Sequence, residues 1–168
     1  MVLAWMFLLI GVVTRFLPHA PNFTPVLALA LFGGVYLKRS QALLVPLALM
    51  MMSDFIIGLH PVIFFTWGSI LLISCLGLWI RRSQSVVRVM IGALASAFLF
   101  FVVTNFGCWL AYYPSTWEGF VSCYALAVPF FRGTLLSTLL YAVIFFGGYE
   151  LLAAQVRKTR LVCVLLNK

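Results

Sequence analysis

An all-α, polytopic membrane bundle is what this sequence predicts, and three observations predict it. Of the 168 residues, 65% are hydrophobic and only 8% are charged, with a mean hydropathy of +1.17. An average soluble domain is about 45–50% apolar and about 25% charged, so this chain lacks the polar side chains to cover a globular surface. Apolar runs of near-membrane length recur along it. The basic residues behind its net charge of +8 fall as short punctuation between those runs, where membrane boundaries hold them. The same composition excludes disorder, and four cysteines are too few for a small disulfide scaffold. Nucleic acid is not needed to explain the charge.

A helix needs roughly 20 apolar residues to cross the hydrocarbon core. Six segments are expected to do so, within one integral membrane domain covering 1–168. The first, 1–17, has no basic n-region and a poor cleavage site at Leu17-Pro18-His19-Ala20, so it reads as a retained span and not as a signal peptide. The second, 22–37, is short on apolar residues and stops at Lys38-Arg39. The third, 41–58, carries Asp54; the fourth, 62–80, starts after Pro61 and stops at Arg81-Arg82. The fifth, 87–112, ends in Tyr112-Tyr113-Pro114. Ser115 and Glu118 then form an S-x-x-E capping box, opening a short amphipathic helix over 115–128. Trp117, Phe120, Val121, Tyr124 and Val128 recur there with helical spacing. It is too short to span, so it is expected to lie in the outer interface or to close over the bundle as a lid. Pro129 is expected to break it before the sixth span, 133–154.

Runs of these lengths are helical, because barrel strands would alternate over roughly ten residues. With the N-terminus in the cytoplasm, the inner loops and tail hold Lys38, Arg39, Arg81, Arg82, Arg88, Arg157, Lys158, Arg160 and Lys168, leaving Arg15 and Arg132 outside. Both termini are therefore expected to be cytoplasmic. The inner loops leave no room for a soluble catalytic domain, and neither a Walker A loop nor a Gly-rich dinucleotide fingerprint occurs. Neither histidine sits in a hydrolase or protease motif. No enzyme and no cofactor are expected.

Polar residues are costly in a bilayer and therefore informative. The first outer connection, 15–25, holds Pro18, Pro21 and Pro25, which prevent a regular helix. It is either a cap over a pocket or a plain rigid hairpin. Asp54 must face the bundle interior, as a contact to a ligand or cation, as a partner to Arg15 or Arg132, or as a structural salt bridge or a protonated acid. His60 reads as an interfacial histidine, and Glu150 as half of a helix-end salt bridge. Asn105 and Trp109 are four apart on one helix face, and the Asn105 amide should bond another helix or a ligand. Cys75, Cys108, Cys123 and Cys163 are too dispersed for a metal site, although a Cys108–Cys123 disulfide is conceivable. His19, His60 and Asp54 form at most a coincidental metal triad.

Several stretches carry a resemblance. Pro21-Asn22-Phe23-Thr24-Pro25, Ala30-Leu31-Phe32-Gly33-Gly34, Ser53-Asp54, Thr104-Asn105-Phe106, Tyr113-Pro114-Ser115-Thr116, Cys123-Tyr124 and Val128-Pro129-Phe130-Phe131-Arg132 resemble an uncharacterised family of small bacterial membrane proteins described as transport proteins. More distantly the pattern is similar to the substrate-binding S components of energy-coupling factor (ECF) transporters. That resemblance implies a vitamin-like or metal-ion substrate captured outside, an ATPase coupling module as partner, and Asn22, Phe23 and Asp54 near the pocket. The A-x-x-x-A pair that many S components carry in the first helix is missing here. The nearest such pairs are Ala30-x-x-x-Gly34 and Ala93-x-x-x-Ala97. An acid that often follows the Phe-Phe-Arg motif is replaced by Ser137-Thr138.

The expectation is a substrate-binding transport subunit or small secondary carrier in a bacterial cytoplasmic membrane. Its outward-facing site would be drawn from Arg15, Asn22, Phe23, Asp54, Asn105, Trp109 and Arg132. The alternative is a membrane scaffold or assembly protein whose polar residues only hold helices together. Arg15, Arg132, His19 and His60 would favour an anion as the ligand, Asp54 and Glu118 a cation.

Overall fold

A computed structural model describes residues 2–18, 20–82, 84–159 and 162–166. His19, Arg160, Lys168 and the side chain of Cys163 lie outside them. Among the described residues every regular element is helical: α1 (Val2–Thr14), α2 (Val26–Tyr36), α3 (Arg39–Ala42), α4 (Leu44–Ile57), α5 (Ile63–Ile80), α6 (Val86–Tyr112), α7 (Trp117–Ala142), a π-helical turn (Val143–Gly147), α8 (Gly148–Val156) and α9 (Val162–Leu165). Four stretches are long and apolar enough to cross a membrane: Arg39–Ile57, Ile63–Ile80, Val86–Tyr112 and Trp117–Val156. The chain thus has the helix set of a membrane protein.

The first two expected spans are shorter than their apolar runs. α1 has 13 residues and α2 has 11, about 20 and 16 Å at 1.5 Å per residue. The prolines of the intervening connection end both helices early. α2 nevertheless forms the centre of the bundle. Every residue from Leu27 to Val35 is buried, and α1, α4, α5, α6 and α7 all pack against it.

Lipid and core exchange their usual roles in this packing. Leu9, Ile10, Phe55, Phe64, Phe98, Leu136 and Leu151 are exposed on the perimeter, while Ser53, Ser69, Ser96, Ser137 and Thr138 are buried. Ser69 and Ser96 donate to the carbonyls of Phe65 and Gly92 at 2.7 and 2.6 Å, so these small polar groups need no partner from another helix. α2 and α5 cross with backbones in contact: a Cβ on Gly34 would lie 2.7 Å from Gly77 Cα, and one on Gly77 2.8 Å from Gly34 Cα. Close crossings of this kind are how apolar helices gain packing without a hydrophobic driving force.

Two expectations about the last third are corrected. Pro129 does not end a helix: α7 runs through it and, via the π-turn, continues to Val156. The separate outer helix 115–128 and the span 133–154 are therefore one rod of 40 residues. Where water cannot take up freed backbone groups, losing the single bond that proline forbids is cheaper than ending the helix. The N-cap is Thr116, whose hydroxyl accepts from Gly119 N at 3.1 Å, one residue later than the Ser115–Glu118 box.

Arg81 closes the lower end of α2. Its Nε and Nη2 donate to Gly34 O at 3.2 and 2.6 Å, and Nη2 also donates to Leu37 O. Those are carbonyls that a helix terminus leaves unpaired. Burial lowers the Arg81 pKa, and the neighbouring Arg39 charge lowers it further. This end also gathers Lys38 and the start of α6, since Gly92 packs on Ile80. Glu150 is here too, and among the described residues it does not have the expected salt bridge: Tyr36 donates its hydroxyl to Glu150 Oε1 at 2.8 Å.

Replacing Gly34 by valine should separate α2 from α5. Because the obstructing atoms are backbone, the loss should reach or exceed the roughly 1–3 kcal/mol typical of overpacking. It should read as a lower unfolding temperature in detergent, with Gly68→Val, at an open position, leaving stability nearly unchanged.

Candidate functional site

The end of the bundle opposite Arg81 is organised by an ion pair. Arg15 follows the last turn of α1, its N–H donating to Val12 O at 3.0 Å. Its Nη2 donates to Asp54 Oδ1 at 2.5 Å, and its Nη1 donates to Ser53 Oγ and, at 2.8 Å, to Met50 Sδ. Trp67 Nε1, one turn into α5, donates to the other Asp54 oxygen at 2.8 Å. Asp54 is 1% exposed and both its oxygens are engaged. Of the expected roles for this acid, partner to Arg15 is the one the structure shows. The network ties α1, α4 and α5 together, as buried charge requires pairing and hydrogen bonding at once.

Above this network lies a cavity of about 500 Å³. Its floor and walls come from the α1 end (Arg15), the proline-rich connection (Asn22, Thr24), α2 (Val26, Leu27), α4 (Met50), the α4–α5 turn (His60), α5 (Thr66), α6 (Phe100, Phe101, Thr104, Asn105, Cys108) and α7 (Ala127, Phe130, Phe131, Thr134). The connection is a fixed wall. Asn22 adopts a left-handed conformation, φ 58°, which asparagine tolerates better than most residues. Its carbonyl accepts from Ser137 Oγ at 3.4 Å, and Phe23 N donates to Ala20 O at 3.0 Å. A Cβ on Gly133 would lie 3.1 Å from Pro21 O, so the loop rests directly on α7.

Of the seven residues expected at the site, the structure brings Arg15, Asn22 and Asn105 to the cavity wall and sets Asp54 directly behind Arg15. The other three lie elsewhere. Phe23 turns its ring towards Tyr141, centroids 6.0 Å apart. Trp109 donates Nε1 to Pro114 O at 3.0 Å and packs among Phe106 and Phe120. Sharing a helix face with Asn105 did not carry it into the cavity, whose α6 wall runs to Cys108. Arg132 is exposed and off the wall.

Among the described residues the Asn105 side chain bonds no other helix: its Nδ2 donates to Phe101 O of its own turn at 2.7 Å. His60, Thr66, Thr104, Cys108 and Thr134 reach the cavity without having been singled out as site residues. Thr104 had a signal, its place next to Asn105. His60 had the opposite one, because a histidine beside a turn proline looks interfacial. Cys108 and Cys123 are free thiols, and Cys123 Sγ donates to Asn105 O at 3.5 Å. Among the described residues no three His, Cys, Asp or Glu side chains converge as metal ligands would.

Asp54→Ala leaves the Arg15 charge without its partner inside the protein. Breaking a buried pair from one side costs on the order of 3–5 kcal/mol, and thermal unfolding in detergent should show a loss of that size, somewhat smaller because Arg15 is 14% exposed. Arg15→Met with Asp54→Leu removes both charges and should recover most of it. A double variant no better than Asp54→Ala alone would show that the charge pairing is not what holds α1 to α4.

No curated protein and no solved structure matches the chain. One family model does, over residues 1–161. It covers the Arg15–Asp54 network, the cavity and the basic end alike, and the chain belongs to that family, DUF6580, a family of unknown function.

Proposed function

We propose that this chain is a multi-pass protein of a bacterial cytoplasmic membrane, acting as the substrate-binding subunit of a transport system on the pattern of an ECF S component. The cavity is the observation that carries this reading. At about 500 Å³ it falls within the roughly 300–1,000 Å³ of small-molecule sites. It mixes aromatic surface with a few convergent polar groups, and its walls come from almost every helix of the chain. The cavity opens away from the end where Arg81 closes α2 and Lys38, Arg39 and Arg82 collect. With that basic end in the cytoplasm, the site faces outward and both termini lie inside.

Six crossings fit the six helical rods. α1 and α2 fall short by themselves, and the connection 15–25 makes up the depth. Irregular backbone at membrane depth is tolerated when it is buried in protein or lines a wet cavity, and Asn22 and Thr24 of this connection line the cavity. Accumulation against a gradient needs an ion gradient or a partner ATPase coupling module, because the sequence carries no Walker A loop. A scaffold reading draws on the Arg15–Asp54–Trp67 network, which by itself is interhelical glue.

A screen of the purified protein against vitamins, nucleobases and divalent ions separates the two. A ligand present at a hundred times its Kd stabilises by about 2.7 kcal/mol, and Asn105→Leu at normal protein levels should cut that gain by about half. Silence across the screen, with unaltered uptake in the variant, favours the scaffold. A reporter fused after Lys168 should be active in the cytoplasm; activity outside the cell would invert the orientation.

A further inference from the structure

Two kinds of polar group face the cavity, and they come from different helices. A guanidinium has five N–H donors and no acceptor. Arg15 uses both Nη1 hydrogens on Ser53 and Met50 and one Nη2 hydrogen on Asp54; its Nε hydrogen and second Nη2 hydrogen have no partner among the described residues. His60 lines the same space. The carboxylate that balances Arg15 is buried behind it, and among the described residues no Asp or Glu lies on the cavity wall. An anion can reach Arg15 from the cavity without meeting a like charge on the surface.

The α6 wall presents the reverse. Thr104 Oγ1 donates to Phe100 O at 2.7 Å, and Asn105 Nδ2 donates to Phe101 O at 2.7 Å. A carbonyl only accepts, so these bonds consume the hydroxyl hydrogen and fix the amide with its nitrogen turned to the helix. What remains for the cavity is mostly acceptor: the Thr104 hydroxyl lone pairs and Asn105 Oδ1, beside the second Nδ2 hydrogen. α1 packs on α2 and α4, whereas α6 packs on α2, α5 and α7, so the cationic donors and the neutral acceptors enter from different sides of α2. Phe100 and Phe130 also line the cavity and add apolar surface to it.

We propose that the occupant is a small organic acid whose N–H or O–H donors sit at the end opposite its carboxylate, joined by a flat apolar body. This rests on the cavity being a ligand site, as argued above. The carboxylate takes the free hydrogens of Arg15 and the His60 imidazole. The donors satisfy Thr104 and Asn105. A divalent cation or an organic amine meets the wrong charge at Arg15.

Titration of the intact protein in nanodiscs with 4-aminobenzoate, benzoate, 4-dimethylaminobenzoate, 4-aminobenzamide, benzylamine and Co²⁺ tests this, read by calorimetry and thermal shift. 4-Aminobenzoate should bind about tenfold or more tighter than each single-feature analogue, the effect of one buried polar group left unmatched. Asn105→Leu should bring 4-aminobenzoate down to the benzoate level while changing benzoate itself by less than about twofold. Thr104→Val makes the same comparison should the first variant fail to fold. His60→Gln should weaken 4-aminobenzoate but not 4-aminobenzamide. Equal binding of benzoate or of the dimethylated analogue overturns the donor end. Tightest binding by benzylamine or Co²⁺ overturns the acid and leaves the cavity a ligand site. Silence from every probe overturns both.

Discussion

Both ends of the central helix lie inside the protein, and the rest of the bundle is arranged around that constraint. Pro25 and Leu37, which flank α2, are almost fully buried, so the carbonyls and amides that a helix end leaves unpaired cannot turn to water. At the lower end the solution is a side chain, Arg81, reaching across from α5 to Gly34 O and Leu37 O. At the upper end it is chain geometry. Pro25 brings no N–H that would need a partner, and the turn before it, with Asn22 in a left-handed conformation, places its carbonyl against Ser137 of α7. A longer α2 would remove both problems, but it would also fill the space that the cavity occupies.

That space explains where the charges are. Shortening α1 and α2 leaves Arg15 part-buried at the end of α1, and an unpaired guanidinium there would be expensive. Asp54 supplies the counter-charge, yet it does so from behind, with Trp67 taking its second oxygen. The pair is therefore neutral as a unit and still presents only its positive side to the cavity. A wall built this way can hold an anion without carrying a net charge when it is empty, which an unpaired arginine in the same place could not do at comparable stability.

The coarse plan was legible because membrane helices announce themselves by length and by what flanks them. Three of the expected spans survive nearly in place as helices α4 to α6, and the last is absorbed into the longer rod of α7 and α8; the few polar residues inside apolar runs, Asp54 and Asn105, do sit at or just behind the cavity. What was not legible has physical reasons. In a bilayer the lipid face and the core face are equally apolar, so periodicity could not say that Trp109 lies off the cavity, or that Phe100 and Phe130 line it. Proline is a strong stop signal in water, where freed carbonyls find solvent, and a weak one at Pro129, where they do not. Glu150 looked like an ion-pair partner by its place near a basic end. A tyrosine hydroxyl on α2 was closer, and nothing local in either segment announces a contact between residues 36 and 150.

That contact depends on the π-turn. In a regular helix consecutive residues are about 100° apart, and one added residue in a turn rotates everything after it by the same angle. Between α7 and α8 the turn over Val143–Gly147 places both Phe145 and Phe146 in the core, each packed on Phe32 of α2 with ring centroids 6.3 and 5.4 Å apart. The same rotation brings Tyr149 over Tyr36, 4.0 Å between centroids, and Glu150 onto its hydroxyl. One rod thus lines the cavity with Phe130 and Thr134 at one level and grips the lower end of α2 at another. Its register on α2 is set by the aromatic cluster, so an insertion or deletion anywhere between Thr134 and Phe145 would move either the cavity wall or the Tyr36 contact, but not both together.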